Sequence, residues 1–127
     1  MIMTTTVAED TKMKIAISAT RPGSEATLEM RFGRCPYFAV YDSESENFEW
    51  YENEGIKAAS GAGTGAAQAL LDRGVEAVIS GQFGPKAVQV LEAGGVKMFL
   101  APADLPLDEV IAKWRAGELK EYQIQRF

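Results

Sequence analysis

Histidine is absent from this chain of 127 residues. Its absence excludes imidazole as a general acid or base, excludes Ser–His and Cys–His nucleophile pairs, and removes imidazole from the available metal ligands. Cysteine occurs once, at Cys35, so no disulfide can form within the chain. Because thiols stay reduced in the cytoplasm, we expect a protein with this cysteine usage to be cytoplasmic.

The chain also lacks an excess of basic residues. Its formal net charge is −5, with 13 Lys and Arg against 18 Asp and Glu. Nonspecific binding to nucleic acid or to an acidic membrane needs a basic surface, so we expect neither partner. The N-terminal MIMTTTVAEDTK has no basic start and no long apolar run, unlike a signal peptide or a membrane span. We predict a flexible extension over residues 1–12, a single domain over 13–120 and a tail over 121–127.

The chain does contain five short segments that are rich in β-branched and aromatic residues. They lie at 14–20, 37–42, 48–53, 75–80 and 96–101. The second and third segments are separated by the turn formers SESEN, and we expect them to form an antiparallel hairpin. The first segment is expected to pair with the second.

Three helical patterns follow the hairpin. The first runs from Thr64, a candidate N-cap, to Gly74, and the second has Pro85 near its first position. The third carries Leu107 and Trp114 on one apolar face. The order β β β α β α β α predicts an α/β domain with a mixed five-stranded sheet and helices on both faces, in which strands one, four and five run parallel.

Three loops are expected to meet at the carboxyl ends of the parallel strands, where α/β sheets bind ligands. Their sequences are RFGRCP after strand one, SGAGTGAAQ before the first helix, and SGQFGPKA before the second. Glycines let a ligand approach the backbone, and helix N-termini offer unpaired N–H donors to an anion. The alternative is that the glycines only permit tight loops. The predicted anion-binding residues are Arg31, Phe32, Gly33, Arg34, Cys35, Gly61, Gly63, Gly65, Gly81 and Gly84.

Two interpretations of Cys35 stay open at this point. A lone cysteine is commonly a small buried hydrophobe. Alternatively, the charge of Arg34 lowers the pKa of the thiol, which favours the thiolate that binds soft metals. One thiolate cannot hold an iron–sulfur cluster alone, because such clusters usually take several.

The ordered set of motifs resembles the dinitrogenase iron–molybdenum cofactor biosynthesis family over about 13–119. The resemblance rests on RFGRCPYFAVYD and on GAGTGAAQALLDRGVEAVISGQFGPKAVQVLEAGGVKMF. It implies a ribonuclease-H-like three-layer α/β fold and a non-catalytic role. Nucleases of that fold carry an acid on strand one, where this chain has Ser18, so nuclease activity is not expected.

The resemblance also suggests which residues form the site. Phe32–Arg34, Gly61–Gly65 and Gly84–Ala87 match motifs of the family. Many relatives have histidine where Arg31 stands, and some have a second cysteine where Phe83 stands.

We therefore predict a carrier or chaperone, not an enzyme, for an iron–sulfur or molybdenum-containing cluster or its precursor. In this hypothesis Cys35 is the metal ligand, and Arg31 and Arg34 offset the charge of the cluster. Cluster donor and acceptor proteins are the expected partners. A binding module for a small phosphorylated metabolite or nucleotide is the alternative, and an interaction protein without a ligand is a third possibility.

Overall fold

A computed structural model describes residues 13–54 and 62–122 of the chain. The described strands form one sheet, and the described helices alternate with its later strands. The strands are β1 Lys14–Ala19, β2 Tyr37–Asp42, β3 Asn47–Glu52, β4 Ala77–Ser80, β5 Lys97–Leu100 and β6 Lys120–Glu121. The helices are α1 Ala62–Asp72, α2 Pro85–Ala93 and α3 Leu107–Arg115.

The sheet has the strand order β3-β2-β1-β4-β5-β6. Strand β2 pairs antiparallel with both β1 and β3, whereas β4 runs parallel to β1 and to β5. The predicted hairpin and the predicted parallel set are therefore confirmed. The hairpin follows from the short turn between β2 and β3, and the parallel strands follow because a helical crossover returns the next strand in the same direction.

The predicted count of five strands is wrong, because the described sheet has six. Strand β6 pairs antiparallel with β5, with Glu121 opposite Phe99. The N–H of Tyr122 then donates to the carbonyl oxygen of Met98 at 2.8 Å. The strand thus extends one residue, Glu121, into the segment predicted as a tail. A strand of two polar residues carries too little periodicity to be recognised in a sequence.

Alternate residues of the central strands face opposite layers of the molecule. Ile17 of β1 packs in a cluster with Val110 of α3, whereas Ala16 packs in a second cluster with Leu70 of α1 and Leu91 of α2. Because successive strand residues point to opposite faces and both faces are covered, β1 carries apolar residues toward each side, and the polar Ser18 among them is fully buried. Helices therefore lie on both faces of the sheet, as predicted.

Helix boundaries agree with most of the predicted caps. Pro85 is the first residue of α2 and Gly84 is its N-cap. Thr64 is not an N-cap, because α1 already includes Ala62 and its buried stripe begins at that residue.

No helix within the described ranges is long and apolar enough to cross a membrane. The ribonuclease-H-like arrangement stays a prediction, and the extension predicted over residues 1–12 lies outside the described residues.

Candidate anion-binding groove

A groove of about 380 Å³ opens where β1 and β4 end and where α1 and α2 begin. Its lining carries the side chains of Arg31, Arg34 and Lys86, which are all exposed. No carboxylate and no thiol occurs among the described residues that line it. The lining residues are Arg31, Phe32, Gly33, Arg34, Ala62, Gly63, Thr64, Gln82, Gly84, Pro85, Lys86 and Ala87.

The first wall of the groove is the segment that carries both arginines. Arg31 forms a parallel bridge with Gln82, and the N–H of Phe32 donates to the carbonyl oxygen of Gln82 at 3.1 Å. The Phe32 ring is buried, with its centroid 5.3 Å from that of Phe38 and 5.4 Å from that of Phe83. Phe32 therefore anchors the segment in the core, whereas Arg31 and Arg34 on either side of it are exposed.

A close backbone contact joins this wall to the start of α1. A Cβ atom added at Gly33 would lie 2.9 Å from Gly63 Cα and 3.0 Å from Gly63 N. Real Cβ atoms do not approach backbone that closely, so the two segments can touch only because residue 33 is glycine. The contact places the arginine segment against the first turn of α1.

The opposite wall is the N-terminus of α2. Gly84, the N-cap residue, makes no side-chain capping hydrogen bond, and Pro85 follows it. The first N–H groups of a helix have no acceptor within the helix, and the helix dipole adds partial positive charge there. Lys86 in this first turn adds a full charge. The groove thus presents hydrogen-bond donors and cations, which is the chemistry that binds an anion.

Cys35 does not face this groove. Its side chain is fully buried, and the thiol donates to the carbonyl oxygen of Phe32 at 3.2 Å. Burial raises the pKa of Cys35 from its ordinary 9.0 to about 12, and the negative charge of Glu29 adds to the rise. Of the two interpretations that the sequence left open, the small buried hydrophobe is confirmed, and the thiol with a pKa lowered by Arg34 is wrong. A neutral, buried thiol is not available as the metal ligand that the sequence suggested.

The remaining predicted site residues divide into two groups. Those that line the groove are Arg31, Phe32, Gly33, Arg34, Gly63 and Gly84. Gly65 lines a different pocket, beside Arg73. A Cβ at Gly81 would lie 2.6 Å from Met30 Sδ, so Gly81 makes room for the arginine segment and does not line the groove. Gly61 lies outside the described residues.

Six groove residues are missing from the predicted anion-binding residues, and they are Ala62, Thr64, Gln82, Pro85, Lys86 and Ala87. Thr64 was expected to cap α1, Thr64 and Lys86 lie within ranges that the family resemblance suggested, and Gln82 was not singled out. The position of Lys86 directly after Gly84–Pro85 was the available signal, because a side chain in the first turn of a helix lies near the unpaired N–H groups. Among the described residues, no group of three or more His, Cys, Asp or Glu is placed to hold a metal ion.

Comparisons with known proteins agree with this architecture. Residues 13–117 match the sequence model of a family described as dinitrogenase iron-molybdenum cofactor. An uncharacterised protein from Methanocaldococcus jannaschii is 32% identical over 114 residues, which are 87% of this chain and 92% of that protein.

Two solved structures resemble the fold over almost their whole length. The apo form of the orange protein from Desulfovibrio gigas has a TM-score of 0.84 and 29% identity, over 91% of this chain and 97% of that chain. A putative NifB protein from Thermotoga, assigned to the DUF35 family, has a TM-score of 0.77 and 33% identity, over 90% and 97%.

Proposed function

Because the chain belongs to the dinitrogenase iron-molybdenum cofactor family, we propose that it carries a metal–sulfur cluster, or a precursor of one, as a preformed anion in the groove. In this proposal the protein holds and delivers its cargo and catalyses no reaction on it. The cargo is iron–sulfur or molybdenum-containing, and the partners are the proteins that supply and receive it.

The observation that carries the proposal is the convergence of positive groups on one groove of an acidic protein. Three cationic side chains and the unpaired N–H groups of α2 line it, whereas the whole chain has a net charge of −5. Negative charge elsewhere on the surface repels an anion, so the groove is the favoured place for it. Two unit charges 4 Å apart attract by about 1 kcal/mol in bulk water, and more where solvent is partly excluded.

The donor set favours a cargo whose metals already have their ligands. The chain has no histidine and its single thiol is buried and protonated, so neither side chain can complete a coordination shell. Sulfide ligands at the surface of a cluster can instead accept hydrogen bonds from N–H groups and attract the cationic side chains.

One of the similar proteins also supports a cargo-binding role. The orange protein of Desulfovibrio gigas is described in its apo form, which distinguishes it from a state with a bound group. Metal–sulfide clusters absorb visible light, and the name of the orange protein refers to a colour. Both points favour a cargo-binding role for this chain over a surface that binds no ligand.

The proposal is tested with tetrathiomolybdate, a coloured molybdenum–sulfide dianion, titrated without oxygen and followed by visible absorbance. The wild-type protein should bind it, and Arg31→Ala combined with Arg34→Ala should weaken binding about thirtyfold, from about 1 kcal/mol for each charge removed. The control is Arg21→Ala combined with Lys113→Ala, which removes the same charge outside the groove.

Outcomes of this titration separate the candidate functions. An affinity that falls equally in both double variants would contradict a specific groove and indicate only a general effect of net charge. If inorganic phosphate or ADP displaces the dianion at comparable concentration, the phosphorylated metabolite or nucleotide becomes the better candidate. Absence of binding by the wild-type protein would contradict the proposal.

A further inference from the structure

The polar side chains that the described part of the chain buries all contact one segment, residues 29–35. Within the described residues, three polar side chains are buried, those of Ser18, Asn53 and Ser80. They come from β1, from the residue after β3, and from β4. Each lies within hydrogen-bonding distance of backbone carbonyl oxygens of residues 29–35, the segment that carries both groove arginines.

The two serines hold the beginning of this segment. The Ser18 hydroxyl donates to the carbonyl oxygen of Glu29 at 2.7 Å and lies 2.8 Å from Ser80 Oγ. The Ser80 hydroxyl lies 3.4 Å from the carbonyl oxygen of Met30. The N–H of Glu29 also donates to the backbone oxygen of Ser18, so the residues directly before Arg31 are tied to the ends of β1 and β4.

Asn53 holds the end of the segment. Its Nδ2 donates to the carbonyl oxygens of Cys35 at 2.8 Å and Gly33 at 3.2 Å, which lie on either side of Arg34. Its own N–H donates to the carbonyl oxygen of Pro36, so the amide group is itself held in place. The two arginines therefore lie between a pair of serine hydroxyls and an asparagine amide.

Core packing alone does not account for these residue types. Burying a hydroxyl or an amide costs free energy unless it finds a partner, and alanine would fill the serine positions without that cost. Here each polar group meets backbone oxygens of an irregular segment that has few partners in the sheet. A segment ordered before binding loses less entropy when the anion arrives, which raises affinity.

We propose that Ser18, Ser80 and Asn53 are positioning residues that hold segment 29–35 in the conformation that presents Arg31 and Arg34 to the bound anion. The inference rests on the proposed function for the identity of the anion. It also predicts that segment 29–35 is conformationally ordered, and this order can be measured without an anion. None of the three side chains lines the groove, so they act through the backbone of the segment.

Two variants test this role, Ser18→Ala combined with Ser80→Ala, and Asn53→Ala. Amide hydrogen exchange at Phe32, whose N–H binds Gln82, reports the order of the segment, and exchange at Val78 in β4 reports global stability. In both variants we expect exchange at Phe32 to quicken about tenfold relative to Val78, which corresponds to one or two lost hydrogen bonds. Tetrathiomolybdate affinity should fall by a similar factor.

The matched control is Thr20→Val, which removes a hydroxyl bonded to Thr27 in an earlier part of the same loop. It should change neither the relative exchange at Phe32 nor the affinity. The positioning role is overturned if the exchange rates at Phe32 and Val78 rise equally in the variants. It is also overturned if exchange at Phe32 quickens while the affinity for tetrathiomolybdate stays unchanged. Absence of binding by the wild-type protein overturns the proposed function alone, since the exchange measurement needs no ligand.

Discussion

The buried thiol of Cys35 leads to a prediction that tests whether this residue is available to bind the cargo. A pKa raised from 9.0 to about 12 means that the folded protein keeps the thiol protonated at neutral pH. Three pKa units correspond to about 4 kcal/mol, or about a thousandfold smaller thiolate fraction at pH 8 than in the unfolded chain. The sulfur is in addition fully shielded from solvent.

Alkylation by iodoacetamide measures both effects, because Cys35 is the only cysteine in the sequence. At about pH 8 the native protein should react at least a thousandfold more slowly than the same protein in denaturant, because only the thiolate is nucleophilic. Native protein that labels at a rate within tenfold of the denatured sample would refute the burial argument and restore Cys35 as a candidate ligand.

The same pKa shift predicts a loss of stability in alkali. Because the folded pKa lies above the unfolded one, the contribution of the thiol is fully present below pH 9 and is lost as the pH rises toward 12. Relative to Cys35→Ala, the wild-type protein should lose about 2 kcal/mol of unfolding free energy between pH 7 and 10.5. The variant serves as the reference because its Tyr and Lys residues titrate equally. A stability difference that stays constant over this range would contradict the raised pKa.

Two further pairs of substitutions test the construction of the groove, with the free energy of unfolding measured in urea. Gly33→Ala should cost about 1–3 kcal/mol, because its Cβ would lie 2.9 Å from backbone of Gly63, whereas Gly84→Ala, with nothing within 4 Å, should change stability by less than about 0.5 kcal/mol. Equal effects of the two glycine variants would refute the close contact. Phe32→Ala should cost about 3–5 kcal/mol because the ring is 1% exposed, whereas Met30→Ala, at a residue 43% exposed, should cost about 0.5 kcal/mol or less. A Phe32 variant as stable as the Met30 variant would show that the ring does not anchor the segment.

Much of the groove could be predicted because its parts are encoded locally. Pro85 after a glycine predicts a helix start, and the alternation of strand and helix patterns predicts that this start lies at the carboxyl end of β4. Arg31 and Arg34 follow β1 in the chain, so the same rule brings them to that end of the sheet. The error at Thr64 was also local, since a threonine within the first turn of a helix resembles a cap when the preceding residues are small.

The choice between the two interpretations of Cys35 could not be made in this way. Its neighbours in sequence, Arg34 and Pro36, suggest a polar loop, but the burial of the thiol depends on Phe32 turning into the core and on Asn53, the residue after β3. Electrostatic reasoning from sequence assumed that the nearest charge in the chain would dominate the pKa. In the structure desolvation dominates it, and desolvation is a property of the surroundings in space.

The sequence by itself determined the order of the elements, the direction of the parallel strands and the small residues that allow backbones to approach, because periodicity and turn chemistry act over a few positions. Only the tertiary structure decided that Ser18 and Ser80, 62 positions apart, share a hydrogen bond behind the arginine segment. It also decided that Lys86 faces that segment and that β6 completes the sheet. These relations depend on which distant segments the packed core brings together, and no short stretch of sequence contains that information.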